Sequence, residues 1–431
     1  MATNSARAAV GIVSLGCSKN LVDTERMLGM LQANGFSIVP DAGDADILIV
    51  NTCGFIESAK QESIDTILEL AAYKECGRCH TLIVTGCLSE RYRKELPEAL
   101  PEVDLFLGVR EYATLIRYLT GAEHGVCAPR ILATAPYTAY LRVADGCDNR
   151  CTYCAIPLIR GPLQSVPMQA LVDEARGLVD TGVTELTLIA QDTSGYGKDM
   201  YGKPMLLPLM DELVKISGLH WLRVLYTYPD TVTPALISFM AGNEKICNYL
   251  DMPLQHGTDR VLQAMNRRGS TGHIKTVLDY IRTHAPDFML RTTMMVGFPG
   301  ETDTEFEELL RFLKEYSFDR LGAFAFSPEE DTPAARMGGQ VEEHVKAERL
   351  DALMRQQQGI SKARNAARVG STVEVLIEGA EAGYTFARSY AEAPDVDGKI
   401  RLPHKPHHRA GQYVPVKLCQ ALPYDLIGEE L

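Results

Sequence analysis

The sequence predicts an α/β protein in three units: an open parallel sheet, a partial parallel (β/α) barrel and a small antiparallel β-barrel. Three observations carry this. Over residues 8–125, apolar strand-like runs alternate with helical patterns. Over 133–363, six more strand–helix repeats follow, each strand ending in polar or glycine-rich sequence. Over 366–431, the pattern turns to short β runs with glycine turns. At 431 residues the chain is too long for one ordinary domain. Its hydrophobic fraction of 46% is ample for several cores.

The bulk numbers exclude some classes. No apolar run approaches the length of a membrane span, and "MATNSARAAV" lacks the hydrophobic stretch of a secretory signal. A cytoplasmic home without a membrane partner is expected. Thiols stay reduced there, so eleven cysteines point to metal or catalysis rather than disulfides. A formal charge of -13 argues against a surface tuned throughout for nucleic acid.

In the first unit, "VGIVSLGCSKN", "DADILIVNTCGF" and "HTLIVTGCLSE" each show an apolar strand, a short polar or glycine step, and a cysteine. Cys17, Cys53 and Cys87 thus stand one per β-α unit. Strand ends of an open parallel sheet share one edge, so three remote thiols can meet there. The plainer reading is three packing cysteines, since free Cys behaves as a small hydrophobe. Cys76 and Cys79, with His80 beside them, form a CxxC with no visible partner pair and are read as a surface loop. Cys127, Cys247 and Cys419 stand alone and are read as packing residues.

The second unit opens with "AYLRVADG", an apolar alternating strand, and then "CDNRCTYC". Cys147, Cys151 and Cys154 have CxxxCxxC spacing, and no fourth Cys or His follows closely. Structural zinc wants four ligands, so a zinc loop fits poorly. A 4Fe-4S cluster on three cysteines leaves one iron open for a ligand. The remaining strands are "TELTLIAQD", "WLRVLYTYP", "NYLDMPLQH", "FMLRTTMMVGFPG" and "RLGAFAFSP". Thr302 and Glu305 make a capping box for the helix after the glycine turn, which is read as architecture with a SAM contact as a further role. The third unit offers "STVEVLIEG", "GYTFARSY", "GKIRLP" and "QYVPVKLCQ" as strands. It holds seven Lys/Arg against nine Asp/Glu, a balance of -2, although "KIRLPHKPHHR" is locally basic.

CxxxCxxC with the aromatic Tyr153 resembles the signature of radical S-adenosylmethionine (SAM) enzymes. From about Gly11 to Gly428 the whole chain resembles the methylthiotransferases, on "VSLGCSKNLVDTE", "NTCGFIESAKQESID", "TGCLSERY" and "ARSYAEAPDVDG". The resemblance implies a radical SAM barrel followed by a TRAM barrel, with two 4Fe-4S clusters and SAM as cofactors. Cys147, Cys151 and Cys154 would hold the catalytic cluster that cleaves SAM, and Cys17, Cys53 and Cys87 a second that delivers sulfur. Tyr153 would lie by the adenine; Gln191 and Asp192, just past a strand, would meet the SAM amino group or ribose, or are ordinary strand-end polar residues. The strings point within the family to enzymes acting on an aspartate β-carbon of ribosomal protein S twelve, free or in the small subunit. A low-potential electron donor and a sulfur donor are implied as further partners. The alternatives are a tRNA adenosine methylthiotransferase and a noncatalytic metal-binding protein that docks on RNA. One departure from the family is "GPLQSVP", where basic residues are expected after Leu163.

Overall fold

The computed structural model describes residues 7–122 and 128–431. Cys127 lies outside the described residues. The first sheet comprises β1 (Arg7–Ser14), β2 (Phe36–Ile38), β3 (Ile47–Thr52), β4 (Thr81–Gly86) and β5 (Leu105–Phe106). Its order is β2-β1-β3-β4-β5, parallel throughout. All six residues of β3 are buried, because helices cover both faces. Leu48, Val50, Leu82 and Val84 pack on one side with Ile67 and Leu70 of helix Glu57–Ala71. Ile47, Ile49 and Ile83 pack on the other with Met27, Met30 and Leu31 of helix Ser18–Ala33. The period-two alternation of a strand thus serves two cores at once.

The six strands expected for the barrel all form. They are β6 (Thr138–Arg142), then, after a short pair, β9 (Glu185–Ile189), β10 (Trp221–Val224), β11 (Tyr249–Asp251), β12 (Met289–Val296) and β13 (Arg320–Ala325). The short antiparallel pair is β7 (Ala144–Asp145) with β8 (Gln164–Ser165), and it brackets the three-cysteine loop. Two parallel sheets, β6-β9-β10 and β11-β12-β13, are joined by the bridge from Leu222 to Ile246. The Thr302–Glu305 capping box forms as expected at the start of helix Asp303–Tyr316. Gly297, at φ +70°, is architectural: a Cβ there would sit 2.3 Å from Cγ of Lys346.

Helix Glu343–Arg368 leads to a closed barrel of β14 (Thr372–Glu381), β15 (Tyr384–Arg388), β16 (Ile400–Pro403), β17 (Tyr413–Ala421) and β18 (Leu426–Glu430). The order is β14-β15-β16-β18-β17, and β16–β18 is its one parallel pair. The sequence reading named four strands. It missed β18, whose "LIGEE" ends in exposed charge. The locally basic stretch is partly neutralised from within: Lys405 and His407 meet Glu430 at 2.6 and 3.0 Å, and Arg401 pairs with Asp425, while Arg409 donates to backbone carbonyls. Cys247 is buried as expected, whereas Cys419 is exposed on β17 and packs in no core.

The string 387–398 has an unexpected place. It joins β15 to β16 and closes the N-terminal end of the central barrel, opposite the cysteine loops. Arg388 meets Glu185, the first residue of β9, at 2.7 Å. Arg320, the first of β13, meets Glu392 at 3.0 Å, and Arg368 meets the same carboxylate at 2.5 Å. The hydroxyls of Tyr140 and Tyr249 donate to Asp395 and Asp397 at 2.9 and 2.6 Å. Ala391 and Ala393 are fully buried among Trp221, Tyr249 and Met289.

Burial works to raise the Glu185 and Glu392 carboxyls, but the arginines beside them prevail and hold both at about 2. Such depressed values give stability that is complete above the ordinary value of 4.5 and is lost as pH falls toward 2. Glu392→Gln leaves Arg320 and Arg368 without their charge partner and should cost about 3–5 kcal/mol at pH 7. Calorimetry from pH 7 to 3 should show the wild type weakening below pH 4.5 and the variant following a flatter profile.

Candidate active site

The first thiol set is built at the sheet's switch point, where chain connections leave β1 and β3 in opposite directions. Cys17 follows Gly16 and caps helix Ser18–Ala33 in an extended conformation. Gly16 is at φ +84°, and a Cβ on it would stand 2.8 Å from Cβ of Cys53. Only glycine lets the two cysteine loops approach so closely. Cys53 follows β3, and Cys87 opens the short helix Cys87–Arg91 just past β4. Asn20 ties these loops together, donating to the carbonyl of Thr52 at 2.9 Å and accepting from the Cys87 thiol at 3.4 Å.

The second set lies on the loop between β7 and β8. Arg160, just past its short helix Ile156–Ile159, is the link between the sets. Its buried guanidinium donates to Asn20 at 2.6 Å, Asp23 at 3.0 Å and Asp145 at 3.2 Å, and stands 3.6 Å from Sγ of Cys87. Arg142 holds Asp23 from the barrel side at 2.5 Å. Burial tends to raise the Asp23 carboxyl, yet the two arginines hold it at about 2. Gln164, at the departure from the family pattern, accepts from Arg110 of the first unit.

All six cysteines line one cavity of about 510 Å³. Tyr153, Gln191 and Asp192 line it too. Asp192 is held by the protein, accepting from Asn149 at 2.9 Å, Ser194 at 2.7 Å and the Gly195 amide at 3.0 Å. Gln191 donates to Asp145 at 3.1 Å, while its buried Oε1 has no partner, nor has Oε1 of Gln255. Sequence reasoning missed Lys19, Arg160, Tyr226, Tyr228, Gln255 and Arg267, which share the cavity. Lys19 and Arg160 carried a weak signal in their nearness to the cysteines. Gln255 and Tyr226 carried none; both adopt positive φ at strand ends, which sequence does not reveal. Cys76 is exposed and Cys79 is buried beside Leu48 and Leu82.

The residues fit iron–sulfur clusters better than single zinc ions. Zinc holding thiolates at about 2.3 Å draws their sulfurs to about 4 Å of one another. Among the described residues, the one His/Cys/Asp/Glu trio with ligand atoms within 4.8 Å is His407, His408 and Glu430; neither cysteine set is that tight. Burial pushes Cys87 and Cys154 up to about 12 and Cys147 to about 11, so a bound cation is needed to keep them as thiolates. The unpartnered glutamine oxygens await donors such as an amino group or ribose hydroxyls.

The UPF0004 family description matches residues 9–108, the radical SAM superfamily 141–313 and the TRAM domain 369–430. The ribosomal protein uS12 methylthiotransferase RimO of Desulforamulus reducens is 46% identical, covering 98% of this chain and 99% of its own. That of Pelotomaculum thermopropionicum is 48% identical, covering 97% and 98%. Among solved structures, the radical SAM methyltransferase TsrM of Kitasatospora setae has a TM-score of 0.55 at 12% identity, covering 76% of this chain and 77% of its own. That likeness is one of fold.

Thiol titration of the metal-free protein at pH 8 checks the burial pattern. Cys17, Cys76 and Cys419 are exposed and should react first with a disulfide reagent. Cys87, Cys147 and Cys154 should lag by orders of magnitude, and peptide mapping of the labelled thiols would show the order.

Proposed function

The chain belongs to the RimO family of ribosomal protein uS12 methylthiotransferases, and from that membership we propose that it adds a methylthio group to an aspartate β-carbon of uS12. It is a radical SAM transferase carrying a TRAM domain. The observation that carries the reading is the meeting of two three-thiol sets on one cavity. In this reading Cys147, Cys151 and Cys154 would hold one 4Fe-4S cluster and Cys17, Cys53 and Cys87 the other, three thiolates serving each. When bound, the clusters and SAM supply the one-electron chemistry and the sulfur, which side chains cannot.

The chain's residues bind and orient. Tyr153 would lie by the adenine, Gln191 and Gln255 would accept from SAM's polar hydrogens, and Asp192 fixes the Asn149 side of the loop. Arg267, stacked 4.1 Å over Tyr228 and 4.0 Å from Sγ of Cys151, offsets negative charge at the second set. Phe55, Ile56, Ile156, Ile159 and Phe324 give the cavity a largely apolar wall.

A tRNA adenosine substrate is not favoured, since the similar relatives carry the uS12 name and Lys399, Arg401 and Lys405 of the terminal barrel pair with its own carboxylates. The reaction also calls for a low-potential electron donor and a sulfur donor. A ribosomal substrate makes the cytoplasm its place, and among the described residues no helix is long and apolar enough to cross a membrane.

Anaerobically reconstituted protein should hold about eight irons, and alanine at Cys147, Cys151 and Cys154 should leave about four and end reductive SAM cleavage. Alanine at Cys17, Cys53 and Cys87 should also leave about four and put no methylthio group on uS12. Iron analysis and mass spectrometry of uS12 and bulk tRNA offered together check both. A methylthio group on tRNA with uS12 untouched overturns the reading.

A further inference from the structure

Among the described residues, Lys19 is a buried cation without an anion. It is the second residue of helix Ser18–Ala33, two past Cys17, and its side chain reaches the cavity at 8% exposure. Its ammonium stands 3.2 Å from the ring centroid of Tyr226, which follows β10 of the barrel. The other cavity cations are answered within the protein. Arg160 has Asp23 and Asp145, and Arg267 has the Pro253 carbonyl and the Tyr228 ring. For Lys19, among the described residues, no carboxylate lies within 4.0 Å. A ring face steadies an ammonium but does not neutralise it, and burial has removed most of its water. Two buried glutamine oxygens without partners, Gln191 Oε1 and Gln255 Oε1, line the same space and mark it as built for a polar ligand.

We propose that Lys19 binds the side-chain carboxylate of the target aspartate and so sets the preference for a negatively charged residue over its neutral amide. This rests on the uS12 reading above. The reacting carbon must come between the two thiol sets, and in aspartate the carboxylate is bonded directly to that carbon. Lys19 projects from beside Cys17 to the barrel wall at Tyr226, spanning that interval. An ionised carboxylate there gains a charge-assisted hydrogen bond to a buried ammonium. An asparagine in its place leaves the ammonium unanswered.

The test is a cycle of binding measurements, by anaerobic calorimetry, on the SAM-loaded holoenzyme. The partners are purified uS12 and uS12 whose target aspartate is replaced by asparagine. Wild-type enzyme should bind the aspartate form roughly 10- to 100-fold more tightly. Lys19→Gln should bind both forms alike, and Lys19→Arg, which keeps the charge, should retain part of the preference. Iron content and melting temperature establish that each variant is folded and loaded. A preference for aspartate that survives in Lys19→Gln overturns the proposal. So does equal weakening of both forms, which would assign Lys19 to cluster charge instead. The uS12 reading is scored separately, by whether wild-type enzyme in the same samples leaves a methylthio group on uS12.

Discussion

The buried guanidinium of Arg160 is the interaction on which the site depends. It comes from the loop of the second thiol set and ends among residues of the first. Two carboxylates, Asp23 from the first unit and Asp145 from the second, offset its charge. An arginine so enclosed is tolerated only when its donors are nearly all used, and that demand fixes two domains in one relative position. The fork geometry of arginine matters here, because a lysine could not serve Asn20, Asp23 and Asp145 at once. Chemistry that passes a group between two sites needs such fixity, since small misplacements are costly.

The molecule divides its labour between the two ends of the barrel. The C-terminal strand ends carry thiols, unpartnered glutamine oxygens and aromatic rings around the cavity. The N-terminal ends are closed by the 389–398 segment, with Glu185 and Glu392 each shared by two arginines. This segment therefore stabilises the scaffold and does not face the cavity.

Much was legible in the sequence because the relevant patterns are local. Three strand–Gly/polar–Cys repeats announced thiols at a shared sheet edge, and CxxxCxxC announced a tight ligand loop. Six alternating strand–helix runs announced the barrel, and Thr302 with Glu305 announced a helix start that forms as expected. Strand β18 was not legible, because its parallel pairing to β16 comes from barrel closure rather than from alternation in "LIGEE". Cys419 misled for a similar reason: on β17 its face points to solvent, and that register is set by distant partners.

The sequence by itself determined which residue types were available and how each was spaced along its own strand or loop. That sufficed for the fold class, and it singled out the six thiols, Tyr153, Gln191 and Asp192 as candidates. Only the tertiary structure decided that both thiol sets open on one cavity, that Arg160 spans them, and that Lys19 stands unanswered over Tyr226. Lys19 and Tyr226 lie more than two hundred residues apart, and Arg388 lies equally far from Glu185. The physical reason is that hydrophobic periodicity encodes local conformation and the face to be buried. Electrostatic pairing across domains depends on which buried charges finally meet, and only the folded chain brings them together.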